Sequence, residues 1–232
     1  MNRTRSLHER TAVLLLGLAA ACTAQGAVVT WNFGVDTGSL TASSGAPPSG
    51  LGVTALSRGN SGGLDTSTTS ASSGYAGASG AFNGSASAKS GGLDTATSTY
   101  WEFSLTAEPG STFTLTDIGF GSRSTSTGPV TLSVRYGNDS YGTDLASAAA
   151  LADGNWAYFT PSLSDTTGVS GETITYRIYG YGGTTTAANW RIDDLAITVE
   201  VSAVPVPEPS TYAGFAGALL LGFGAWRRTR RA

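Results

Sequence analysis

One cysteine, one histidine and one methionine are all that 232 residues hold of those types. Cys22 and His8 both lie near the start of the chain. That start, MNRTRSLHERTAVLLLGLAAACTAQGA, has the layout of a secretory signal peptide. It opens basic, runs apolar from Ala12 to Ala21, and ends in small residues at 24–27 where signal peptidase can cut. Removal of residues 1–26 leaves a chain with neither thiol nor imidazole. Disulfides, cysteine nucleophiles, Ser–His triads and the commoner zinc sites are then excluded together. A lipoprotein alternative would lipidate Cys22, but LAAAC sets Leu18 one position upstream of the usual pattern.

Charge is scarce as well. Asp, Glu, Lys and Arg make up 12% of the chain, about half the usual share. Between Ala27 and Val204 six basic residues face fourteen acidic ones, a net of −8. A body of that sign is a poor partner for phosphates, which excludes nucleic-acid binding. Nor do its glutamates suggest catalysis. Glycoside hydrolysis needs two carboxylates roughly 5–9.5 Å apart, one of raised pKa. Glu102 points outward between Trp101 and Phe103, Glu108 and Glu172 adjoin turns, and Glu200 stands at the end of the body. The chain is therefore read as a non-enzyme, with a glycoside hydrolase the least favoured of its functions.

What remains is abundant glycine, serine and threonine around short alternating runs. WEFSLT alternates through Trp101, Phe103 and Leu105. VTLSVRYG does so through Val130, Leu132, Val134 and Tyr136, and ETITYRIYGYG through Ile174, Tyr176 and Ile178. Each run closes on Gly, Pro, Asn or Asp, the grammar of strands and turns. Near the start VVTWNFGV reads the same way, and pairing of this first strand with the last would close the domain. Only LASAAALA, 145–152, suggests a helical turn. These runs predict an all-β antiparallel sandwich, jelly-roll-like, over residues 27–204. It is flanked by the signal peptide (1–26) and a C-terminal hydrophobic segment (205–232).

Two strands change parity. In NWRIDDLAITVEV the apolar set moves from Trp190 and Ile192 to Leu195, Ile197 and Val199. A strand with one buried face cannot do this without an extra residue, so a β-bulge is predicted at Asp193–Asp194. TFTLTDIGF shifts likewise between Leu115 and Ile118, which places a second bulge at Thr116–Asp117.

Residues 41–99 are rich in Gly, Ser and Thr. Within them, 31 of the 39 residues from 61 to 99 are Ser, Thr, Gly or Ala. SGGLDTSTTS at 61–70 returns as SGGLDTATST at 90–99, which suggests two equivalent strand-and-turn units. Two copies are too few for a solenoid.

The tail reads VPVPEPSTYAGFAGALLLGFGAWRRTRRA. Fifteen uncharged residues, 212–226, lie between a proline-rich strip and four arginines. As a helix they span about 22 Å against a bilayer core of about 30 Å, and the arginines favour a cytoplasmic end. Pro207, Glu208 and Pro209, the apolar run, and Arg227, Arg228, Arg230 and Arg231 together resemble the PEP-CTERM sorting tail of Gram-negative bacteria. The resemblance implies processing by an exosortase after transient anchoring in the inner membrane. It further implies delivery to the cell surface or extracellular matrix, in company with exopolysaccharide or biofilm. WRIDDLAI is similar to the closing strand of jelly-roll modules found among such secreted proteins, a likeness that speaks to fold more than function.

The expected function is a structural or matrix protein, or alternatively a carbohydrate-binding, adhesin-like module. Tyr141, Trp156, Tyr179 and Tyr181 sit near turns, where an aromatic face can pack on the C–H face of a sugar. Asp36, Asp193 and Asp194 meet if the first and last strands pair. As hard oxygen ligands they are candidates to hold a structural calcium ion.

Overall fold

The computed structural model describes residues 25–31, 33, 47–61, 66–67, 70–80, 82–150, 153–204 and 209–230. Residues 1–24, most of the segment expected to be a signal peptide (1–26), and Asp36, Pro207, Glu208 and Arg231 lie outside them. In chain order the strands are β1 (Gln25–Trp31), β2 (Leu51–Val53), β3 (Ser57–Gly59), β4 (Thr66–Ser67), β5 (Asn83–Ala88), β6 (Tyr100–Ala107) and β7 (Ser111–Ser124). There follow β8 (Thr131–Tyr136), β9 (Ala146–Ala149), β10 (Trp156–Phe159), β11 (Thr166–Gly168), β12 (Thr173–Tyr181) and β13 (Ala188–Ala203). One helix, α1 (Pro209–Thr229), ends the described chain.

The strands form two antiparallel sheets packed as a sandwich. The seven-stranded sheet runs β10-β7-β13-β5-β4. Its two long strands each serve two neighbours on one edge: β13 pairs with β5 and then β1, and β7 with β11 and then β10. The six-stranded sheet runs β2-β6-β12-β8-β9, with β3 also on β6. As the sequence predicts, the first strand closes on the last, from Gln25 opposite Val201 to Trp31 opposite Leu195.

Period-2 alternation decides what lies between the sheets. Trp101, Phe103, Leu105 and Ala107 of β6 are buried, while Tyr100, Glu102, Ser104 and Thr106 turn outward. Ile174, Tyr176 and Ile178 of β12 complete the second sheet's inner face. The aromatic rings interlock. Phe103 stacks on Tyr176 at 5.3 Å and meets Trp31 at 5.0 Å, while Trp101 and Trp190 stand edge to face at 6.1 Å. Gly84 lets this cluster close: a Cβ there would lie 2.8 Å from the Trp101 ring and 3.0 Å from Phe33.

Both predicted bulges are present. Four residues of β13, Asp193 to Ala196, span what three residues, Gly121 to Gly119, span on β7. Asp194 adopts φ +48° at the irregularity, and its N–H donates to Asp193 Oδ1 at 2.9 Å. On β7 the extra residue is Thr116, between the partners of Thr198 and Val199. There Ile118 N–H donates to the adjacent Asp117 Oδ1 at 2.8 Å. At each bulge an aspartate carboxylate accepts the N–H of the residue that follows it, a local bond that suits an irregular ladder.

Three expectations are corrected. LASAAALA forms no helical turn among the described residues; Ala146–Ala149 is a strand on the edge of β8, where the open ladder outweighs alanine's helix propensity. The two SGGLDT copies differ: Thr66–Ser67 pairs with β5, whereas Thr95–Ala96 sits in a turn where Asp94 Oδ1 accepts Ala96 N–H at 2.8 Å. Val130 is 43% exposed and precedes β8 rather than opening it. As for α1, no helix among the described residues is long and apolar enough to cross a membrane. Ser210, Thr211 and four glycines dilute it. Phe215, Leu219, Phe223 and Trp226 are exposed along it, and Arg230 lies 4.3 Å over the Trp226 ring.

Candidate functional site

Aromatic residues stand on the outer faces of both sheets, and the Gly/Ser/Thr-rich segment reaches each of them. On the six-stranded sheet Glu102, Arg177 and Arg135 lie in one row across β6, β12 and β8. The Arg177 guanidinium is sandwiched between Tyr100 (3.9 Å) and Tyr141 (4.0 Å). It donates to Glu102 Oε2 at 2.7 Å and to the Tyr179 hydroxyl at 3.2 Å. Burial opposes its charge, but the Tyr179 and Glu102 hydrogen bonds outweigh that and hold it above the ordinary arginine value.

Tyr141 reaches Arg177 from a constrained loop. Ser140 and Tyr141 both have positive φ, +58° and +61°, costly for residues with a Cβ. Arg135 clamps this loop through the Tyr141 and Gly142 carbonyls, at 2.7 and 2.9 Å, and pairs with Asp144 at 2.7 Å. Tyr179 is on the outer face but fully buried. The second SGGLDT copy covers it, and its hydroxyl donates to the Thr95 carbonyl at 3.1 Å. Tyr141 and Tyr179 thus brace the fold, while Tyr181 lies two residues further along β12, half-buried and opposite Thr131.

The seven-stranded sheet carries a different arrangement. Trp156 and Tyr158 project outward from β10 opposite Arg123 and Gly121. Tyr75, from the segment 70–80, joins them with ring centroids 5.4 Å from Tyr158 and 6.4 Å from Trp156. The rings lie across β7 because two glycines leave room. A Cβ on Gly119 would come within 2.7 Å of the Tyr158 hydroxyl, and one on Gly121 would collide with Tyr75. Tyr158 is 40% exposed, Trp156 and Tyr75 half-buried. The result is an aromatic shelf open on its outer side.

The β13 bulge supplies the shelf's polar rim. Tyr75 donates its hydroxyl to Asp194 Oδ2 at 2.7 Å, and Ser79 N–H donates to the same oxygen at 3.1 Å. Ser79 Oγ lies 3.4 Å from Asp193 Oδ2. Trp156 Nε1 donates to the Ser70 carbonyl at 2.9 Å, which ties down the other end of the segment. Burial pushes the Asp193 carboxyl up to about 6. Burial, then the Asp194 and Asp117 charges, raise the Tyr158 hydroxyl above the usual phenol range.

Of the four sequence-predicted sugar contacts, Trp156 alone belongs to this shelf. Tyr158 belongs to the same turn-proximal run of aromatics as Trp156, whereas Tyr75 is not legible as a candidate from the sequence. Tyr75 stands within low-complexity sequence, and its one signal is being the only large side chain among small ones. Asp193 and Asp194 adjoin the shelf, whereas Asp36 lies outside the described residues. Among the described residues no group of three His, Cys, Asp or Glu side chains could hold a metal ion.

No family model matches this chain, and no curated protein matches it. Among solved structures it is similar to the K3 cleaved adhesin domain of Lys-gingipain from Porphyromonas gingivalis. The TM-score is 0.34 at 15% identity, over 75% of this chain and 99% of that one. It is also similar to the N-terminal cellulose-binding domain of Cellulomonas fimi β-1,4-glucanase C (TM-score 0.31, 15% identity, 66% and 90% of the two chains). A third is the CBM22-1 xylan-binding domain of Paenibacillus barcinonensis Xyn10C (TM-score 0.30, 12% identity, 81% and 100%). At such similarity, function rests on this chain's own side chains.

Proposed function

We propose that the body of this protein is a non-catalytic glycan-binding module and that the Tyr75–Trp156–Tyr158 shelf is its binding surface. The observation that carries this is the pair of glycines beneath the rings: Gly119 and Gly121 let aromatic side chains lie across a strand with their outer side in solvent. Three rings kept at a surface rather than in the core suit the C–H faces of consecutive sugars, with Asp194 beside them to accept hydroxyl hydrogen bonds. Tyr158 is the residue to test, since its ring is the most open of the three and its hydroxyl holds no other element in place among the described residues. Tyr158→Ala is expected to weaken polysaccharide binding roughly three- to tenfold, the worth of one aromatic contact. Its melting temperature should stay within about 2 °C of the parent, as for a surface change. Affinity electrophoresis and thermal melting measure the two. Unchanged retardation by every polysaccharide that retards the parent would remove the shelf from the site.

The ends of the chain fit export to the cell surface. β1 pairs from Gln25 onward, so cleavage before Gln25 preserves the whole strand, whereas cleavage after residue 26 sacrifices its first two pairs. Residues 205–232 are read as a PEP-CTERM sorting segment for an exosortase. A segment that is cut away need not be a stable anchor, which accommodates the diluted apolarity of α1. Intact-mass spectrometry of surface and medium fractions is expected to give a species starting near Gln25 and ending near 205–210. A species that retains Ala232 in the inner-membrane fraction would overturn the sorting reading.

A further inference from the structure

We infer that the shelf selects by charge: it takes polysaccharides without carboxylates and rejects uronate polymers. The inference rests on the glycan reading above and adds the ligand's chemical class.

Acidic groups surround the open part of the shelf. Asp194 lies against Tyr75 through a 2.7 Å hydrogen bond; Asp193, which precedes it at the bulge, is fully buried and acts through its charge alone. Asp117 is exposed at the other bulge, on the strand that Tyr158 crosses. At the Trp156 end Arg123 stands opposite the indole; its Nε–H donates to the Gly154 carbonyl. The Asp153 carboxylate of the same turn, held low by Asn155 hydrogen bonds and in part by the Arg123 charge, offsets that charge. Arg191, on the neighbouring strand β13, is 6% exposed and donates to Asn83 Oδ1 at 2.8 Å. A sugar lying on Tyr158 therefore faces carboxylate acceptors, which suit hydroxyl donors and repel a second carboxylate. The −8 net charge of residues 27–204 acts in the same sense, but over distances that salt screens.

The test separates the local from the global effect. The mature protein and its Asp194→Asn variant are run at 0.15 M salt, where the screening length is about 8 Å, against neutral polymers (β-glucan, mannan, xylan) and uronate polymers (alginate, pectate). Asparagine accepts hydrogen bonds and tolerates positive φ, so the bulge keeps its shape. The parent is expected to bind at least one neutral polymer and to prefer it over both uronates by about tenfold or more, as one well-placed repulsion provides. Asp194→Asn should narrow that preference about fivefold, through weaker neutral binding and stronger uronate binding. Uronates bound as tightly as neutral polymers, or a preference unmoved in Asp194→Asn, would overturn the charge selection and leave the shelf a glycan site. Binding of no polymer would overturn the glycan reading and this inference with it.

Discussion

Trp190→Ala is expected to lower the unfolding free energy by about 3–5 kcal/mol, the range for deleting a large aromatic from a packed core. Trp190 is fully buried at the centre of the sandwich. It meets Trp101 edge to face and donates its indole N–H to Ser122 Oγ at 3.0 Å. It also packs flush on β12, where a Cβ on Gly180 would lie 2.9 Å from its ring. Alanine leaves three surfaces unfilled and strips the Ser122 hydroxyl of its donor. Small residues at Gly180 and Ser122 cannot collapse into the space, so the effect belongs near the upper end of that range. Urea denaturation followed by Trp fluorescence measures it. A loss below 1 kcal/mol would mean that the two sheets are not locked together at this point.

Asp193→Asn is expected to make the protein more stable at neutral pH, by about 2 kcal/mol. Asp193 is fully buried, and its carboxyl is held at about 6 against an ordinary value of 3.8, chiefly by burial and further by the Asp194 charge. Ser72 and the backbone N–H groups of Asp194 and Phe33 pull the other way. Because the folded protein holds this proton more tightly than the unfolded chain, the group's stabilisation is complete below about pH 4. It is then lost as pH rises through 6. Asparagine keeps the acceptor for Asp194 N–H and carries no proton to lose. Chemical denaturation across pH 4–7.5, with chelator present, should show the parent losing stability relative to the variant over pH 4–6. Parallel profiles would place the Asp193 titration outside that window.

Sequence alone determined the strands whose buried face is built of large residues. Trp101, Phe103 and Leu105 left no other register, because a one-residue slip would expose all three. The same rule located both bulges, since a change of parity in a half-buried strand requires an added residue. Composition likewise excluded thiol and imidazole chemistry from the body.

Tertiary structure alone decided the rest. β5, NGSASA, lies on the inner strand pair of the seven-stranded sheet, yet its residues are too small to show a period, and it pairs only because Ala188–Ile192 offers an open edge. β9 reads as helix and becomes strand for the same reason. Tyr179 alternates outward as expected but is buried by a distant turn through Thr95. The shelf was the least legible of all. Its three rings come from residues 75, 156 and 158 and its rim from 193 and 194, while the space for it comes from the absent side chains of Gly119 and Gly121. Sequence periodicity records which face of one strand is buried. It holds no record of which distant segment lies over the other face, because that depends on contacts between residues more than 80 positions apart.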